Sequence, residues 1–305
     1  TLSDSGSQEA IDHLAFPSEH IKNCSVGLDS QFKIYDISNE KKFRLKDKYE
    51  INRDFIFYVG GIDFRKNVIR LIEAFSLLPN RKQYQLVIIV SIEEAAVTYF
   101  YNSFRKKFEL NSDELILISY VSEDMLITLY NTCSLFVFPS LHEGFGLPII
   151  EAMACGAPTI ASNISSMPEV INCQDALFDP KNPQSIANKI NEVLSNENFR
   201  NYLKQHGQEQ VKKFTWRNTA KKTLTAFEEL YERKKNKKMV SVYNDRKKLA
   251  YISPLPPEKT GIANYSAQLI VELACFYEII LITQQASVDD IWLNANFKIQ
   301  DVNWF

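Results

Sequence analysis

The stretch Ser140-Leu-His-Glu-Gly-Phe-Gly-Leu-Pro-Ile-Ile-Glu151 sets the fold class of this chain. Ahead of it lies Leu135-Phe-Val-Phe138, a continuous apolar run of the kind found in strands buried on both faces. Behind the glycines, Pro148 suits a first helical turn, where its missing N–H costs nothing. Gly156 then ends that helix, and Pro158-Thr-Ile-Ala161 reads as the next strand. The unit is therefore strand, glycine loop, short helix, strand. Gly144 and Gly146 let the backbone approach a ligand closely, and the helix N-terminus behind them offers N–H groups and partial positive charge. An anionic group, a diphosphate above all, fits there. Glu143 and Glu151 flank it as acceptors for sugar hydroxyls.

The same alternation continues on both sides. Phe55–Val59, Gln85–Val90, Leu115–Ser119 and Ala176–Phe178 read as strands, with helices over Val68–Leu78, Ala95–Phe108, Glu123–Thr132 and Ser185–Leu194 between or after them. Leu71, Ile72, Phe75 and Leu78 share one face of the first of these helices. Ser7–Leu14 reads as a short helix, and Ile21–Val26 as a short strand or connector. The pattern predicts an α/β fold, a Rossmann-like parallel sheet flanked by helices, with ligands at the carboxyl ends of the strands. Two more helices follow, Phe199–Lys213 and Trp216–Arg233, the second with an apolar stripe of Leu224, Phe227, Leu230 and Tyr231. Residues 233–248 are basic and lack periodicity, which reads as a linker, either a solvated tether or a contact for an anionic membrane surface. After it, Leu249–Ser253, Ile262–Cys275 and Tyr277–Thr283 form strand, helix and strand, a partial second Rossmann-like segment.

Composition excludes several classes. The 305 residues are 45% hydrophobic and 24% charged, ordinary for a globular protein, and a net charge of -2 gives no argument for nucleic acid. No apolar run approaches the roughly 20 residues that span a bilayer. Thr1-Leu-Ser-Asp-Ser-Gly carries no secretory pattern, and Cys24, Cys133, Cys155, Cys173 and Cys275 are scattered like reduced thiols. The expected location is cytoplasmic, at most at the inner face of the plasma membrane. Neither these cysteines nor His13, His20, His142 and His206 show metal-ligand spacing, so no metal is expected.

Glu143-x7-Glu151 around Gly-Phe-Gly-Leu-Pro resembles the signature of family 4 retaining glycosyltransferases of the GT-B fold. The resemblance implies that Glu143 meets the donor sugar and Glu151 the ribose, while Gly144, Phe145, Gly146 and Leu147 present N–H groups to the diphosphate. Gly60-Gly-Ile-Asp-Phe-Arg-Lys66-Asn67 resembles the family's Gly-Arg-Leu-x-x-x-Lys loop. Lys66 matches its lysine, but Gly61 stands at the arginine position, and glycine cannot chelate a phosphate bidentately. Arg65 is the candidate to restore that charge, and the Gly-Gly form resembles mannosyl-transferring members. Tyr120-Val121-Ser122 matches the loop that contacts the nucleobase; an ordinary loop with an N-cap at Ser122 is the other reading. His142 either orients the signature loop or bonds the donor.

Val26-Gly-Leu-Asp29 resembles the turn between the two GT-B domains. The expected organisation is thus 1–27 as the end of an N-terminal domain, 28–232 as the donor-binding domain, 233–248 as linker, and 249–305 as the opening of a second transferase's N-terminal domain. Pro-Pro-Glu-Lys-Thr-Gly-Ile-Ala-Asn-Tyr-Ser carries that last resemblance. The function implied is transfer of a hexose, mannose from GDP-mannose, with retention, onto a surface polysaccharide or lipid-linked glycan. It needs no cofactor beyond the nucleotide sugar, and its partners are donor, acceptor and the N-terminal domain, with peripheral membrane contact open and no nucleic acid. With mainly the donor half present, the chain is expected not to transfer sugar alone. The competing reading is a nucleotide-sugar-binding or scaffolding module without transfer activity.

Overall fold

The computed structural model describes residues 1–90, 94–235, 247–258, 260–285 and 287–302. They form two compact units, one of Thr1–Asn23 with Leu28–Phe214, the other of Cys24–Gly27 with Thr215–Phe305.

The first unit is built on six parallel strands: β1 (Asp54–Gly60), β2 (Tyr84–Val90), β3 (Leu115–Ile118), β4 (Leu135–Phe138), β5 (Thr159–Ser162) and β6 (Leu177–Phe178). Their order is β3-β2-β1-β4-β5-β6. The strand sequences are apolar without alternation because both faces are covered: Phe55 to Tyr58, Leu86 to Val90 and Leu135 to Phe138 are all buried. Phe57, Tyr130 and Phe136 meet edge-on or tilted at 5.3–5.8 Å, so the centre of the core is aromatic. The helix Val68–Ser76 buries Leu71, Ile72, Ala74 and Phe75 along its apolar face. It stops two residues short of the expected Leu78, which is nonetheless buried.

Two local features escape a pattern reading. The helix Asn39–Tyr49 buries only Leu45, so it has no apolar stripe; Ser38 starts it by accepting the Lys41 N–H. Gln85, fully buried in a strand that reads as apolar, uses its whole amide. Its Oε1 accepts the N–H groups of Asn52 (2.9 Å) and Arg53 (3.1 Å), and its Nε2 donates to the carbonyls of Glu50 and Asp113 (3.0 Å each). It joins the segments that lead into β1 and β3. Ile21–Val26 is a connector with no strand.

The second unit has three parallel strands in the order β7 (Lys248–Ile252), β8 (Glu278–Thr283), β9 (Lys298–Asp301). Leu269, Ile270 and Leu273 of the helix Gly261–Leu273 pack with Tyr277, Ile279 and Leu281. The helix Trp216–Lys235 belongs here: Ala220 is in this core, with Trp216, Leu224 and Phe227 packed against it, while Leu230 and Tyr231 stay exposed. The two units divide the chain elsewhere than the expected 27/28 and 232/233 boundaries. The first unit ends at Phe214 and not at 232, and Thr1–Asn23 joins it as part of its own structure. Of the expected linker, 236–246 lie outside the described residues; 233–235 are helical and Lys248 opens β7. No helix among the described residues is long and apolar enough to cross a membrane.

Gln85→Leu keeps much of the volume and leaves four backbone groups unpaired at the base of the sheet. Denaturant unfolding is expected to show a loss of about 2–4 kcal/mol; a loss below about 0.5 kcal/mol, the scale of a neutral surface change, counts against this assignment.

Candidate functional site

From β1 the sheet runs one way through β2 and β3, and the other way through β4, β5 and β6. The reversal lies between β1 and β4, and the crevice at the carboxyl ends of such a pair is where open α/β sheets bind ligands. The loops after these two strands are Gly60–Asn67 and Ser140–Gly146, the two stretches the sequence singles out.

Backbone and side-chain contacts fasten the loops together. The Leu141 N–H donates to the Arg65 carbonyl at 2.7 Å. Asn67, buried in the left-handed conformation (φ 59°), donates through Nδ2 to the carbonyls of Pro139 (2.9 Å) and Pro180 (2.8 Å). Asparagine is among the few residues that tolerate this conformation. Between these ties, Lys66 Nζ lies 2.6 Å from Glu143 Oε1, and Arg65 Nη1 lies 3.2 Å from both Glu143 Oε2 and the His142 carbonyl. Glu143 and Lys66 are largely shielded, with 11% and 17% of their side chains exposed; Arg65 keeps 44%.

Gly61 lies beside the Asp63 carboxylate. A Cβ there would fall 2.9 Å from Asp63 Oδ2. Asp63 accepts the Arg65 N–H through Oδ1 at 3.2 Å and starts the turn carrying Arg65 and Lys66, and its exposed carboxylate is the group nearest position 61. The Gly61 carbonyl accepts from Tyr58 at 2.9 Å, and burial raises that phenol's pKa well above the ordinary range, keeping it a neutral donor.

In the second loop the carbonyls are taken. Glu143 O accepts from Ser165 Oγ (2.9 Å), Gly144 O from Ser3 Oγ (2.7 Å), and Phe145 O from Ser166 Oγ (2.7 Å), whose oxygen also lies 3.0 Å from Glu143 O. The N–H groups of Gly144, Phe145, Gly146 and Leu147 have no partner among the described residues. Gly146 is left-handed (φ 107°) at the cap of the helix Leu147–Ala154, whereas a Cβ on Gly144 would meet nothing within 4 Å. Phe145 is buried against Phe214, and Leu147 is 37% exposed. The exposed His142 pairs through Nε2 with the Glu9 carboxylate at 2.9 Å, which is how the loop-orienting reading would look.

Glu151 sits on the helix behind the loop. Its Oε2 accepts from the buried Tyr130 hydroxyl at 2.9 Å. Loss of hydration raises its pKa from 4.5 to about 7; the Tyr130 bond opposes the rise, and the charges of Glu123 and Asp29 add to it. Tyr120 is 78% exposed and Val121 buried, while Ser122 caps the helix Glu123–Thr132 through the Met125 N–H. The structure thus brings Arg65, Lys66 and Glu143 into contact beside Gly144 to Leu147. Pattern reading missed Ser3, Asn67, Tyr130, Ser165 and Ser166, although Asn67 directly after Lys66 at a helix start was a visible signal. No group of three His, Cys, Asp or Glu among the described residues could hold a metal ion.

Residues 40–210 match the family model described as glycosyl transferases group 1. The chain belongs to that family. The chain is 40% identical over 233 residues to the serotype-specific mannosyltransferase WbdA of Escherichia coli, across 76% of its own length and 28% of the relative's. It is 29% identical over 230 residues to the O-antigen chain mannosyltransferase B of Escherichia coli, across 74% of its length and 59% of the relative's. It therefore spans little more than a quarter of the first relative and less than two thirds of the second. Anabaena Alr3699/HepE, solved in complex with UDP and glucose, shares the fold at a TM-score of 0.63 and 18% identity, over 76% of this chain and 62% of that one. The six-stranded unit has the Rossmann-like architecture of the GT-B fold, and the three-stranded unit is a second, smaller parallel sheet with helices.

The raised Glu151 pKa carries a stability sign. The folded state holds this proton more tightly than the unfolded state, so the contribution is full below about pH 4.5 and lost as pH rises through about 7. Glu151→Gln has no such proton to lose. Measured by denaturant midpoint, its stability relative to the parent is expected to improve by about 2–3 kcal/mol between pH 4 and pH 8. A difference that does not change with pH would contradict the raised pKa of this carboxyl.

Proposed function

We propose that the full-length protein transfers mannose from GDP-mannose, with retention, to a surface polysaccharide or lipid-linked glycan. The observation that carries this reading is the contact of Arg65 and Lys66 with Glu143 beside unpaired loop N–H groups at the β1–β4 crevice. The printed names of the two Escherichia coli relatives, both mannosyltransferases, support the choice of sugar.

In this reading the donor diphosphate draws Lys66 and Arg65 away from Glu143. The two cations and the N–H groups of Gly144 to Leu147 then neutralise the charge that develops on the leaving diphosphate. Glu143, released from its partners, accepts hydrogen bonds from the donor sugar, and Glu151 from the ribose. The loop at Tyr120 and Val121 takes the base. Retention in this reading proceeds by front-face attack and asks for no enzymic nucleophile. No cofactor or metal is invoked. The N-terminal domain of the same catalytic unit brings the acceptor and excludes water, so the described units supply the donor side, and this chain alone binds donor without turning it over. The site of action is the cytoplasm or the inner face of the plasma membrane.

Titration calorimetry with GDP, UDP, ADP and the corresponding nucleosides tests the assignment. GDP is expected to bind best. Lys66→Ala is expected to weaken GDP by about 10–100-fold, the scale of a lost bond between charged groups, with little effect on guanosine. Arg65→Ala acts in the same direction and less, as its side chain is more exposed. Parent-like GDP binding by both variants would remove the Gly60–Asn67 loop from the diphosphate site.

A further inference from the structure

Ser3 lies only 1% exposed, and both capacities of its hydroxyl are used. Its Oγ donates to the Gly144 carbonyl at 2.7 Å and accepts the Gly6 N–H at 2.9 Å, capping the helix Asp4–Leu14. That helix grips the site at further points. The Glu169 carboxylate accepts the N–H groups of Asp4 (2.8 Å) and Ser5 (3.0 Å), where a negative charge at a helix N-terminus is favourable. Glu9 holds His142, two residues ahead of Gly144.

Peptide planarity gives these contacts a consequence. In a trans peptide the C=O of one residue and the N–H of the next point in opposite directions. Tethering Glu143 O to Ser165 therefore aims the Gly144 N–H away from that serine. Tethering Phe145 O to Ser166 does the same for Gly146 N–H, and tethering Gly144 O to Ser3 does it for Phe145 N–H. Each of three successive planes is pinned through its carbonyl by a serine hydroxyl, and the N–H opposite that carbonyl is unpaired among the described residues. The middle plane is the vulnerable one. It follows Gly144, which has open space around it and no Cβ to restrict rotation, so its orientation depends on Ser3.

We propose that Ser3 is a positioning residue for the signature loop: it fixes the Gly144–Phe145 peptide so that the Phe145 N–H is presented to a donor phosphate. This rests on the donor-site reading above. It also gives the N-terminal segment a direct line to the donor loop, since a displacement of the helix Asp4–Leu14 would release the peptide.

Three substitutions in the full chain separate this role from simple helix capping. Ser3→Thr keeps both hydrogen bonds. Ser3→Ala loses both. Ser3→Asp keeps the cap, because aspartate is a good N-cap, but has no proton to give Gly144 O. Backbone ¹⁵N order parameters at Gly144 and Phe145 are expected near 0.85 in the parent and Ser3→Thr, and below about 0.6 in Ser3→Ala and Ser3→Asp. GDP affinity is expected to fall about tenfold in the last two, with guanosine unchanged. Loop order unchanged in Ser3→Ala, or parent-like behaviour of Ser3→Asp, overturns the proposal. If the parent binds no nucleoside diphosphate, the donor-site reading falls, while the order parameters still decide whether Ser3 holds the loop.

Discussion

A carboxylate held by two cations across neighbouring strand ends is the interaction on which this site depends. Glu143 stands 2.6 Å from Lys66 and 3.2 Å from Arg65, and neither contact exists unless β1 and β4 lie side by side. The sheet order supplies that adjacency, and Asn67 with the Leu141–Arg65 backbone bond closes the loops over it. Shielded ion pairs are costly to break one-sidedly, because the remaining charge is left without compensation. An incoming diphosphate avoids that cost for the cations by replacing one anion with another. In the proposed reading the pair organises the cleft until a ligand of the same sign as Glu143 takes over the cations.

The two signature glutamates are placed in different electrostatic settings. Glu143 is matched by two positive groups. Glu151 has lost its hydration, which pushes it up to about 7 against the opposing bond from the Tyr130 hydroxyl. The first setting suits a residue that exchanges partners when donor arrives; the second suits a hydrogen-bond partner whose charge is sensitive near neutral pH. Between them, three serines from two places in the chain take the loop carbonyls and leave the amides unpaired among the described residues.

Much of this was legible from sequence because it depends on local periodicity and on a compact motif. Leu135–Phe138 and Glu123–Thr132 begin and end where the pattern puts them, since an unbroken apolar run and an N-cap serine are local signals. The helix Asn39–Tyr49 was not legible, having almost no buried face. The serine tethers were not legible either: Ser3 and Gly144 are 141 residues apart, and nothing in a serine's identity names the carbonyl it will meet. The helix Trp216–Lys235 carries a clear apolar stripe, but a stripe says that a helix packs and not which sheet receives it.

The central claim is that Arg65 and Lys66 form the diphosphate clamp and that Glu143 competes for them. Measuring GDP affinity of Glu143→Gln against the parent by calorimetry, at low and at 0.5 M salt (about a 4 Å screening length), tests it most directly. Glutamine keeps the shape and removes the competing charge, so the account predicts tighter GDP binding than in the parent, with the advantage shrinking at high salt. GDP binding weaker than the parent's at both salt concentrations would contradict it.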